Sequence, residues 1–141
     1  VWNGLFMFTT NEGYAVFIDE KGGIRKEKKN LEAPFYWGGN KYLLYALSGN
    51  ILTVGTKKIE LLNGKYERPR LFRIAGTNYV SVNDLSTQKA YLYNDKGNLI
   101  KDFPVESVSP IAIDVDLDRT VWIVTEKSPT EIVVFSVRKL E

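Results

Sequence analysis

Short alternations of apolar and polar residues, separated by tight-turn sequences, run along the whole chain. A β-strand directs successive side chains to opposite faces, so this period of two predicts strands that bury one face. The separating turns are Asn11-Glu12-Gly13, Lys21-Gly22-Gly23, Ser48-Gly49-Asn50, Asn63-Gly64 and Lys96-Gly97-Asn98. Because a helical period is nowhere sustained, we expect an all-β protein with no helix longer than about two turns.

The alternations and turns together predict a series of short strands. The predicted strands are Leu5–Thr9, Tyr14–Asp19, Ile24–Lys28, Phe35–Trp37, Lys41–Leu47, Ile51–Val54, Lys58–Leu62, Leu71–Ile74, Tyr79–Asn83, Lys89–Tyr93, Leu99–Asp102, Ile111–Val115, Thr120–Thr125 and Glu131–Arg138. Tight turns with glycine favour hairpins, so consecutive strands are expected to be antiparallel neighbours.

Internal repetition indicates how the strands group. Residues 15–24 match residues 90–99 at an offset of 75, and residues 35–43 match residues 72–80 at an offset of 37. A repeat of about 37 to 42 residues with four short strands has the size of a β-propeller blade. Residues 1–141 are therefore expected to form one β-propeller-like domain or a segment of a larger propeller. An antiparallel β-sandwich with coincidental repeats is the alternative.

The repeat also predicts where each four-stranded meander begins and ends. Phe35–Leu62 and Leu71–Asp102 are expected to be complete meanders. Leu5–Thr9 is expected to be a second strand and Glu131–Arg138 a third, which leaves both end sheets incomplete. Incomplete end sheets must be covered, either by pairing between these two strands or by a second copy of the chain.

Composition excludes several classes of function. The 141 residues include no cysteine and no histidine, which excludes disulfides, Cys/His zinc sites and histidine-dependent catalytic triads. A net charge of +2 is too small to indicate a nucleic-acid partner. No run of eighteen apolar residues occurs, so we expect no membrane insertion. The lack of cysteine is compatible with an extracytoplasmic or a cytosolic protein.

Two segments in the second half of the chain resemble a known type of protein. Lys89–Pro104 combines a strand, an Asp-Lys-Gly turn and a closing Phe-Pro, and Ala112–Asp118 carries three alternating aspartates. Both are similar to segments of bacterial β-propeller repeat proteins of the quinoprotein-like and VCBS/FG-GAP-like kinds, many of them uncharacterised. The resemblance implies a propeller fold and an acidic DxDxDG loop that binds calcium, but no particular activity.

The acidic loop is the candidate metal site. Asp114, Asp116 and Asp118 alternate, and a tight loop could turn several such carboxylates toward one calcium ion. Arg119 stands where the pattern has its turn glycine, and Trp122 stands where a fourth carboxylate would complete the shell. We therefore expect a solvated turn that holds no tightly bound calcium.

Phe35-Tyr36-Trp37-Gly38-Gly39 is the densest aromatic cluster of the chain. Tyr36 and Trp37 are candidate ligand-binding residues, because aromatic rings beside glycines can stack on a sugar ring or a peptide. Packing between neighbouring sheets is the alternative use of the same rings.

A basic run marks one predicted outer strand, with cations at Lys21, Arg25, Lys26, Lys28 and Lys29. Glu27 and the alternation of faces interrupt this run, which argues against a nucleic-acid surface. Lysines on an exposed edge strand prevent edge-to-edge association, so we interpret the run as protection of a sheet edge.

These features favour a non-catalytic binding or scaffold module of a larger bacterial protein, with no cofactor. A protein or carbohydrate ligand, a homodimer, or the remaining blades of the parent protein are the expected partners. No nucleophile elbow, phosphate-binding glycine loop or dinucleotide fingerprint occurs in the sequence. The alternative is a part of a glycosidase-like or lyase-like propeller enzyme whose active site lies partly outside this segment.

Overall fold

The structure is a computed structural model that describes residues 5–10, 12, 14–28, 35–138 and 140. Every regular element in these residues is a β-strand, which confirms the all-β prediction and the absence of long helices for this part of the chain. No helix there could cross a membrane. Three residues named above, Asn11, Gly13 and Lys29, lie outside the described residues.

The strands form four antiparallel sheets. The strands are β1 (Phe6–Thr9), β2 (Tyr14–Ile18), β3 (Ile24–Lys28), β4 (Phe35–Gly39), β5 (Leu44–Ser48), β6 (Ile51–Val54), β7 (Lys57–Glu60), β8 (Arg70–Ile74), β9 (Thr77–Asp84), β10 (Lys89–Asn94), β11 (Val105–Glu106), β12 (Ala112–Val115), β13 (Val121–Ser128) and β14 (Glu131–Val137). The first sheet is β1–β3, the second β4–β7, the third β8–β11 and the fourth β12–β14, and within each sheet consecutive strands pair.

The predicted limits of the meanders are confirmed in part. The second sheet corresponds to the meander expected over Phe35–Leu62, and β14 is the third strand of its sheet, as expected. β1 is the first of the described strands in its sheet and contacts β4. Its assignment as the second strand of an incomplete meander stays a prediction, because residues 1–4 lie outside the described residues.

The predicted strand Leu99–Asp102 is wrong for most of its length, because only Leu99 pairs with the sheet, in a single antiparallel bridge to Tyr93, and a turn follows. The buried Ile100 anchors the segment, and its N–H donates to the carbonyl of Leu92. Phe103 N–H then donates back to the carbonyl of Ile100, and Asp102 has a positive φ of 68°. The fourth strand therefore starts only at Val105.

The sheets pack face to face, and β9 is the most buried strand. One core lies between the second and third sheets and contains Leu47, Leu52, Val54, Val80 and Val82. A second core lies between the third and fourth sheets and contains Tyr79, Ala90, Leu92, Ile111 and Ile123. Because neighbouring sheets cover both faces of β9, every residue from Asn78 to Asp84 is buried.

Two pairs of strands from neighbouring sheets lie next to each other. β1 contacts β4, and β8 contacts β12. Polar bonds also join the second and third sheets, since the Tyr45 hydroxyl donates to the carbonyl of Pro69 (2.9 Å). The Asn40 amide donates to the side-chain oxygen of Asn78 (2.7 Å). These contacts fix the sheets in the order in which the chain forms them.

Shortening a side chain in the second core should test this packing. Leu92 is fully buried, so Leu92→Ala is expected to lower the free energy of unfolding by about 2–5 kcal/mol through lost burial and a residual cavity. Leu117→Ala is the matched control at a fully exposed leucine and should change stability by less than about 0.5 kcal/mol. Urea unfolding measures both, and equal effects would contradict the assigned core.

Candidate functional site

The two candidate aromatic residues lie on opposite faces of β4. Tyr36 packs against the core between the second and third sheets. Trp37 lines a crevice of 220 Å³ between the first and second sheets, together with Met7, Phe8 and Arg68. Since neighbouring residues of a strand point in opposite directions, the two rings form no common stacking platform. Ligand binding at Trp37 stays a prediction for this crevice.

Asp116 of the candidate metal loop is the capping residue of a hairpin turn. Its Oδ1 accepts the N–H groups of Asp118 and Thr120, both at 2.9 Å. Its Oδ2 accepts the indole N–H of Trp122 at 2.8 Å, and this bond is the main cause of a lowered pKa of Asp116. Asp114 Oδ1 accepts the N–H of Val115. Within the described residues, no three acidic side chains gather into a metal-ligand group.

The same turn occurs three times in the part of the chain that the structure describes, at residues 19–23, 94–98 and 116–120. In each, the side-chain oxygen of the first residue accepts the N–H groups of the third and fifth residues. The carbonyl of the first residue accepts the N–H of the fourth. The fourth residue has a positive φ in every copy, with 79° at Gly22, 74° at Gly97 and 63° at Arg119. Arg119 thus adopts a conformation that favours glycine.

A cleft of 960 Å³ lies between the third and fourth sheets. We call it the cationic cleft. Its floor is apolar and mostly buried, and its rim is mostly polar and either exposed or half-buried. The floor consists of Ile74, Tyr79, Val115, Val121 and Leu140, and the rim of Ala75, Thr77, Asn94, Asp95, Lys96, Arg119 and Arg138. The sequence analysis missed this site, because its charged residues come from three separate elements.

Turn length explains why the cleft is open. At the equivalent end of the second and third sheets, the four-residue turn 40–43 reaches over the gap. Its Tyr42 ring lies 3.9 Å from the Arg73 guanidinium carbon, and its Asn40 bonds to Asn78. In the third sheet, Ile74 pairs with Thr77, so only two residues make the turn. This shorter turn carries no side chain that could fill the gap toward the fourth sheet.

The rim of the cationic cleft carries an excess of positive charge. Lys96 belongs to the turn after β10, Arg119 to the turn after β12, and Arg138 follows β14. Asp95 is the single carboxylate among the described lining residues. None of the three cations forms an ion pair within the described part of the chain. The local field therefore favours anions.

A second polar cluster lies at the opposite end of the third sheet, and its hydrogen bonds stabilise a loop. The carboxylate of the fully buried Asp84 accepts the N–H groups of Lys65 and Ser86 and the hydroxyls of Ser86 and Thr87, at 2.6–3.1 Å. A Cβ on Gly64 would lie only 2.7 Å from this carboxylate. Burial raises the pKa of Asp84, but the hydrogen bonds outweigh this effect and lower it. With every oxygen occupied, Asp84 closes a loop and offers no free ligand.

Comparison with known proteins adds no relative. No family model, curated protein or solved structure matches the chain.

The hydrogen bonds of Asp116 support the prediction that this loop holds no tightly bound calcium. Because both carboxylate oxygens already accept hydrogen bonds, micromolar calcium should leave the Tm unchanged. Differential scanning fluorimetry with and without calcium measures this. A rise in Tm that Asp116→Asn abolishes would contradict the prediction.

Removing the buried carboxylate should be costly at neutral pH. Asp84→Ala leaves four hydrogen-bond donors without an acceptor and should lower the free energy of unfolding by about 2–4 kcal/mol. Asp118→Ala, at an exposed carboxylate, is the control and should change the free energy of unfolding little.

The lowered pKa also sets the direction of the pH dependence. The Asp84 contribution is present above the ordinary pKa of 3.8 and is lost as the pH falls through the lowered value. Urea unfolding from neutral pH to about pH 3 should show a smaller acid-induced loss for Asp84→Asn than for the wild type. An identical pH profile for both proteins would oppose this assignment.

Proposed function

We infer that the chain is a run of four β-propeller blades and acts as a non-catalytic scaffold segment of a larger bacterial protein. Antiparallel meanders that stack face to face, with β8 beside β12 at the junction of the third and fourth sheets, support this inference. A scaffold of this kind works through the faces of its terminal sheets, because each blade must cover its neighbour.

The observation that carries the inference is the outer face of the fourth sheet. Ala112, Val124 and Val134 stand in one register row across its three strands. Ile132, on the same face, is 68% exposed, and Val134 is 56% exposed. Apolar residues are buried where the second sheet meets the third and where the third meets the fourth, so the outer face is suited to the same sheet-on-sheet packing.

The first sheet also has an exposed apolar row. Phe6, Ile18 and Ile24 stand in one register row, and Ile24 is 72% exposed. The terminal sheets therefore do not cover each other, and no described pairing joins β14 to β1. A further antiparallel sheet is the occupant that continues the existing packing. In the isolated chain, a second copy takes its place.

A charge on the outer face should separate such a pair. We expect the wild-type chain to associate at high micromolar concentration and Val134→Lys to be monomeric, because a lysine in the buried row would lose its hydration. Leu62→Lys is the matched control at an exposed leucine outside the fourth sheet and should associate like the wild type. Light scattering coupled to gel filtration measures the masses.

A substitution on the other face of β14 distinguishes association from folding. Phe135 packs against the second core, so Phe135→Lys should lower the Tm, whereas Val134→Lys should preserve it. A wild-type chain that stays monomeric at the highest concentration would refute the proposed docking face.

A further inference from the structure

We propose that the cationic cleft binds a small organic anion. Lys96, Arg119 and Arg138 would hold its carboxylate or phosphate, and its apolar body would lie over the floor. This proposal does not depend on the scaffold role, because the cleft and the outer face of the fourth sheet are formed by different side chains.

Arg119 provides the first argument, because the turn itself does not require an arginine. The two equivalent turns have glycine at this position, Gly22 and Gly97, as the positive φ favours. Asp116 accepts two N–H groups of the turn and the Trp122 indole, which holds Arg119 in its unfavourable conformation. Unfavourable backbone that surrounding bonds maintain is frequent at functional sites. Here it places a guanidinium at the cleft.

Convergence of charge provides the second argument. Lys96 and Arg119 come from turns of the same conformation in neighbouring sheets, and Arg138 comes from the end of the last strand. Separate elements thus bring three positive charges and one carboxylate, Asp95, to one recess, so an anion bound there would offset the excess positive charge. Arginine and lysine side chains both donate charge-assisted hydrogen bonds to carboxylates and phosphates.

The shape of the cleft sets the size and character of the ligand. Its 960 Å³ lies at the upper end of the range for small-molecule pockets, and the floor offers the buried side chains of Ile74, Val121 and Leu140. Such a floor favours a compact apolar or aromatic body. An inorganic anion alone would leave it uncovered.

Fluorescence titration with 8-anilinonaphthalene-1-sulfonate tests the proposal, since this probe joins an aromatic body to one anionic group. Arg119→Gly should weaken its binding about tenfold. The same substitution should keep or raise the Tm, because glycine suits the positive φ. Lys58→Gln, which removes an exposed cation outside the cleft, should bind like the wild type.

A neutral analogue separates this site from the exposed apolar faces. N-phenyl-1-naphthylamine, which lacks the sulfonate, should bind the wild type and Arg119→Gly equally. Displacement of the anionic probe by 1-naphthoate or by 1-naphthyl phosphate would support the proposal and identify the preferred head group. Unchanged affinity of the anionic probe for Arg119→Gly, or displacement by neither anion, would overturn it.

Discussion

Burial of β9 on both faces is the interaction on which the rest of the structure depends. Val80 and Val82 pack toward the second sheet, while Tyr79 packs toward the fourth. A strand covered on both sides joins two hydrophobic cores into one stack. Packing on the two faces of β9 aligns the second and fourth sheets with the third. This alignment sets where their turns, and the cationic cleft between two of them, lie.

Turn chemistry determines how the ends of this stack differ. Asp19, Asn94 and Asp116 cap identical turns with their side chains, so the backbone is the same in all three. What varies is the residue in the left-handed position and the length of the neighbouring turn. A glycine at this position adds no side chain to the surface. Arg119 adds a positive charge beside the cleft that the short turn after β8 leaves open.

The buried Asp84 and the exposed Asp116 both use their carboxylates to bind donors of nearby loops and strands. These hydrogen bonds lower the pKa of each residue. The groups that remain available are cations on the cationic cleft and apolar side chains on the terminal sheets. A binding or scaffold role uses such groups, and it needs no activated nucleophile or general base.

Local chemistry in the sequence determined most of the strands and the turns between them, since period-two alternation and positive-φ residues act over a few positions. Packing decided which face each strand presents. The offset of 37 aligns Phe35 with Phe72. In the structure, Phe72 packs toward the sheet that follows its own, and in the second sheet Tyr36, not Phe35, is the residue that does so. The offset of 75 pairs Ala15 with Ala90, and the strands that contain them are followed by turns of the same hydrogen-bond pattern. The cationic cleft could not be predicted from the sequence, because its charged residues are far apart in the chain and come together only where the third and fourth sheets stack.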